Sequence, residues 1–175
     1  MGAVYGAFMP VRQAMPDMQI IPAQSPTSRP LTLGPFAVDQ DGTLQPREPG
    51  LRPAMRFAWR GRWCEALLSA ESVQLAALAA RIPSTAEAGA DRPQAFEAIA
   101  ALPDSLPPGW RARLLPDHRI LLESSAPLPE PPTATELVAA MVRFALALDP
   151  YLDRLETACG TPGGASPGTL NTWPG

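Results

Sequence analysis

The sequence predicts an α+β domain: an antiparallel sheet of about five strands, with a short middle helix and a long C-terminal helix packed on it. Three observations carry this. Segments 54–68 and 110–123 alternate apolar and polar residues on either side of a turn signal, the period of strands with one wet face. Thr133–Ala158 repeats Leu137, Met141, Phe144, Leu148, Leu152 and Leu155 at steps of three and four, so they share one helical face. Between these segments, Asp91 and Pro93 give Arg92–Leu102 a helix start.

Taken in order, residues 1–30 carry Pro10, Pro16, Pro22, Pro26 and Pro30, which forbid a long helix. We expect a Pro-rich flexible arm there, with Met18–Ile21 (MQII) as a docking element. The single α+β domain is expected over 31–158. In Leu31–Gln45, Phe36, Val38 and Leu44 flank the turn signal Asp39–Gly42, which reads as a short hairpin. A calcium loop would need further oxygen ligands and a closing Glu, so the turn is favoured. Met55, Phe57 and Trp59 alternate with Arg56, Ala58 and Arg60; Gly61 turns the chain, and Trp63–Leu68 returns.

Val73–Ile82 is ambiguous. Its Ala and Leu content puts helix slightly ahead on propensity, yet Val73, Leu75 and Ala77 alternate and Pro83 ends the run. In Arg92–Leu102, Phe96, Ile99 and Ala100 are expected to share a face. Trp110–Ser124 reads as a second hairpin, with Pro116–His118 at its turn. Thr133 and Glu136 are spaced as a capping box for the last helix, whose other side carries Arg143, Asp149 and Asp153. Pro150 is placed to split this helix, with Asp149 as a fresh cap. The Gly/Pro sequence 159–175 reads as a flexible tail.

Composition narrows the function classes. The 14 basic residues are all arginine, and the net charge is −3. That balance argues against general nucleic-acid binding and against an anionic membrane surface. Two cysteines far apart and one histidine do not make a zinc site, and we expect reduced thiols, a cytoplasmic setting and no cofactor. No apolar run reaches the length of a membrane-spanning helix.

Candidate chemistry is sparse. His118 is the one imidazole available to a Ser–His or Cys–His pair, and it falls on a hairpin tip beside Asp117 and Arg119. Gly164–Gly168 formally fits G-x-S-x-G but lacks the strand and helix that expose such a serine. Arg52, Arg56, Arg60 and Arg62 with Trp59 and Trp63 could form a stacking platform for nucleic acid, but the aromatics alternate away from Arg56 and Arg60 as core residues do. We expect no catalytic residues.

The order of elements resembles the type III secretion chaperone-like fold shared by the Tir-chaperone and YbjN-like families. It is carried by RFAWRGRWCEALL (56–68), Arg81-Ile82-Pro83, the 92–102 helix, Gly109-Trp110 with LLPDHRILLE (114–123), and TATELVAAMVRFALALDPYLDRL (133–155). The resemblance implies that Val73–Ile82 is a strand and that helices cover one sheet face. It also implies a non-enzymatic, acidic homodimer that holds a protein client by strand addition and apolar pockets. Phe57, Trp59, Trp63, Phe96 and Ile99 would then carry the partner contacts. A YbjN-like cytosolic regulatory role shares the fold and differs in its partners.

Overall fold

The computed structural model describes residues 31–50, 52–69, 71–87 and 91–159. The expected N-terminal arm, the MQII element and the tail from residue 160, with its G-x-S-x-G, lie outside the described residues.

The chain opens with three short strands, β1 (Leu31–Leu33), β2 (Phe36–Val38) and β3 (Leu44–Pro46), in an antiparallel meander. The expected hairpin therefore gains a third strand. Gly34, at φ +56°, makes a second tight turn that brings Leu31–Leu33 back along β2. Asp39–Gly42 is a turn, closed by the Gly42 amide donating to the Asp39 carbonyl at 2.9 Å.

Five further strands form the main sheet: β4 (Ala54–Trp59), β5 (Arg62–Leu68), β6 (Ser72–Arg81), β7 (Arg111–Leu114) and β8 (Arg119–Pro127). All pair antiparallel, in the order β4-β5-β6-β8-β7. The segment that propensity alone leans toward a helix is thus the central strand. Two neighbours take its backbone hydrogen bonds, and Val73, Leu75, Ala77 and Ala79 are buried on one face. Burial on an alternating pattern outweighs the weak helical preference of alanine and leucine.

The link from β6 to β7 holds two helices, α1 (Arg92–Ala100) and α2 (Leu102–Ser105), where one was expected over 92–102. Asp91 caps α1 by accepting from the Gln94 amide at 2.9 Å. The buried residue of α1 is Ala95, and Phe96 is 44% exposed. An alanine suits close packing of this short helix against the last one, while the Phe96 ring lies under the Arg92 guanidinium, 5.5 Å from its centroid.

The final helix, α3 (Ala134–Cys159), is continuous. It is not split at Pro150. The lost hydrogen bond would have ended on the Leu146 carbonyl, and Leu146 is 57% exposed, so water can serve that oxygen. Beyond the proline, Tyr151, Leu152 and Leu155 are buried and hold the second half of the helix down. Thr133 accepts from the Glu136 amide at 3.2 Å, the first half of the expected capping box.

α3 lies across one face of the main sheet, with α1 beside it. Its Leu137, Phe144, Leu148 and Leu152 meet Val73, Leu75, Ala77 and Leu122 in one core. The small sheet joins the same layer: Phe36, Val38 and Leu44 belong to that core, and Gly34 sits against Met55 of β4. Trp110 stacks on Phe144 at 4.9 Å between centroids, and Tyr151 donates to the Ser105 carbonyl at 2.8 Å. These contacts fasten the 102–111 connection to the helix.

Candidate functional site

The second face of the main sheet carries no helix among the described residues. Alternation along each strand decides what stands there. In β5, Cys64, Ala66 and Leu68 face the core, so Trp63, Glu65 and Leu67 face outward. Register then aligns Arg56, Glu65, Ala76, Glu123 and Arg111 across all five strands. The small Ala76 at the centre leaves a trough of about 1130 Å³, with Arg56 and Glu65 on one side and Arg111, Arg113 and Glu123 on the other.

The charges in this trough are largely matched. Arg56 Nε lies 3.2 Å from Glu65 Oε1, and Arg113 Nη1 lies 3.2 Å from Glu123 Oε1. Each carboxylate already holds an arginine, so the two do not present the unmatched acid and base that carboxylate catalysis uses. The trough is bordered by two strand edges, β4 and β7, each paired on one side only among the described residues. Their outer backbone groups can accept another strand.

The five residues expected to contact a partner do not form one patch. Phe57 and Trp59 lie on the covered face and pack against the core, and Ile99 packs there from α1. Trp59 Nε1 donates to Asp149 Oδ1 of α3 at 2.8 Å. Trp63 stands on the open face at 37% exposed, and Phe96 projects from α1. The open-face row from Arg56 to Arg111 was readable in part. The alternation in RWCEALL puts Glu65 opposite Cys64, but its cross-strand partners depend on register that no single segment encodes.

At the β4–β5 turn, Arg60 and Arg62 reach the last turns of α3. Arg60 Nη2 lies 2.7 Å from Asp153 Oδ1, a hydrogen bond that raises the Arg60 pKa above its ordinary value. Arg62, only 5% exposed, places Nη2 at 2.8 Å from Glu156 Oε1. This cluster pins the hairpin tip to the helix; the arginines are engaged by protein carboxylates rather than presented to phosphates.

His118 sits on the β7–β8 turn at φ +62° and is exposed. Cys64 is buried, and burial pushes its thiol up to about 12, so it stays protonated at neutral pH. Burial also raises the Cys159 thiol, against the opposing pull of the Arg62 charge. Both cysteines are free. Among the described residues no three His, Cys, Asp or Glu side chains are placed to hold a metal ion, and no helix is long and apolar enough to cross a membrane.

No family model matches this chain, and no curated protein matches it.

Proposed function

We propose that this chain is a non-catalytic protein-binding module of secretion-chaperone-like kind, which holds an extended client segment on the open side of its main sheet. The observation that carries this reading is a trough that no described helix covers, lying between two strand edges that no described strand pairs. An added strand gains main-chain hydrogen bonds from an edge, and its alternate side chains drop toward the trough. Trp63, Leu67 and the small Ala54 and Ala76 supply apolar contact, while the Arg–Glu pairs border it. We place the client at β7, whose outward Arg111 and Arg113 favour a segment with acidic flanks. The same side of the sheet serves a second copy of the chain in a homodimer.

The test uses the full chain and a library of eight-residue extended peptides, read by fluorescence anisotropy. Proline is placed in turn at Ala112 and Arg113. One of these two amides points away from β8, and proline there keeps the fold while blocking strand addition. Selective loss of peptide binding at that position supports the reading. Binding that survives both prolines, or no peptide bound at millimolar concentration, removes it. Light scattering on the same protein gives the second readout: a mass that stays dimeric on dilution supports self-association.

A further inference from the structure

A second apolar surface lies on the opposite side of the molecule. On the outer side of α3, Val138, Val142 and Leu146 are 41%, 50% and 57% exposed. They recur every four residues and form a stripe separate from the core face of the same helix. β1 runs beside the stripe, with Leu31 at 71% exposed. Together Leu31, Leu33, Val38, Val138 and Val142 line an apolar groove of about 740 Å³, with Arg143 as its one charged residue among the described residues. One wall of the groove is a strand edge: β1 pairs with β2 on one side, and no described residue pairs with the other.

We infer that Met18–Ile21 of this same chain occupies the groove as a fourth strand, antiparallel to β1, with Met18 and Ile20 seated on Val138 and Val142. Where the chain leads is the first argument. Residue 30 joins Leu31 at the rim of the groove, so the preceding residues start beside it. Residues 22–30 separate the two segments, and nine residues reach about 30 Å when extended. The exposed stripe from Val138 to Leu146 rises only about 12 Å.

The second argument is chemical. DMQII is free of proline, and its paired isoleucines favour a strand. Pro22 biases Ile21 toward extended backbone. Period-2 alternation then sends Met18 and Ile20 to one side and Gln19 to the other. Asp17, next to Met18, offers a carboxylate to Arg143, which makes no ion pair among the described residues. The other apolar run, Val4–Phe8, is interrupted by Gly6 and lies farther from β1, so closing its loop costs more.

The test is cysteine cross-linking in the full chain, with Cys159→Ser as background and the buried Cys64 retained. Ile20→Cys is paired with Val142→Cys, and Gln19→Cys with Val142→Cys is the comparison. The expected result is an intramolecular disulfide whose rate is independent of protein concentration and at least about tenfold faster for the Ile20 pair, a preference of about 1.4 kcal/mol. Equal rates for the two pairs, no disulfide, or a disulfide-linked dimer whose rate follows concentration each overturn the inference; the last assigns the groove to a second copy. A second readout avoids cross-linking. Ile20→Asp should speed alkylation of a Val142→Cys thiol about tenfold, by uncovering it. An unchanged alkylation rate overturns the inference even where the disulfide forms.

Discussion

Arg62 and Glu156 meet at 2.8 Å across 94 residues of sequence, joining the first hairpin of the main sheet to the end of α3. The two partners are not equally solvated: the Arg62 side chain is 5% exposed and that of Glu156 28%. Arg62 Nε has no hydrogen-bond partner among the described residues, so the Glu156 contact is the main compensation for a buried charge. Glu156→Ala should therefore cost about 2–3 kcal/mol, read as a lowered urea midpoint at unchanged slope. Arg62→Met with Glu156→Leu should cost clearly less than Glu156→Ala alone, because it removes the stranded charge. A double variant as unstable as the single one would mean that the pair is worth more than its desolvation.

Pro150 sits within α3, where the backbone would accept any good helix former. Alanine there restores an amide that can bond to the Leu146 carbonyl and relieves the ring contact with the preceding turn. Against this, proline limits the unfolded chain, an opposing effect of up to about 1 kcal/mol. Pro150→Ala should stabilise the protein by about 1–2 kcal/mol, with thermal unfolding as the measurement. A lower midpoint would show that the proline sets a helix path the core requires.

The local signals and the tertiary ones separate cleanly in this chain. Both hairpins, the Asp91 cap and the core face of α3 follow from spacing within single segments, and the α+β class follows from their order. What one segment cannot show is what lies beside it. Val73–Ile82 favours a helix by composition and becomes the central strand because β5 and β8 flank it. Ala77 and Ala79 match a position under α3, where small side chains let the helix approach. Phe96 is apolar and yet exposed, because Ala95 takes the buried place against α3. The trough likewise needs five strands in register before Arg56, Glu65, Ala76, Glu123 and Arg111 share a row, and those residues span 56 to 123 in sequence.

The β4–β5 turn holds Arg60 at φ +47° and Gly61 at φ +73°. Two consecutive positive values are the requirement of a two-residue type I′ turn, whose twist matches that of the strands. A methyl group at Gly61 meets nothing within 4 Å among the described residues, so the backbone conformation is what resists it. Gly61→Ala should cost about 1–2 kcal/mol in urea unfolding. A bulky neighbour would add a steric cost; none exists here, so a loss above about 3 kcal/mol would indicate that the Arg60 and Arg62 contacts with α3 fail along with the turn.

Cys64 supplies the pH dependence. Burial raises its thiol from an ordinary 9.0 to about 12. Between those values the unfolded chain releases a proton that the folded chain keeps, so the unfolded state binds fewer protons and stability falls as pH rises. The contribution is fully present below pH 9 and is lost as the pH climbs toward 12, with a slope approaching about 1.4 kcal/mol per pH unit for one thiol. The Cys159 thiol is also raised and acts in the same direction. Urea unfolding from about pH 8 to 10.5 should therefore show falling stability in the wild type and a flatter curve in Cys64→Ala. At pH 7 that variant should cost about 1 kcal/mol, for the small cavity left where the sulfur packed. Parallel curves for the two proteins would place the alkaline loss on groups other than the Cys64 thiol.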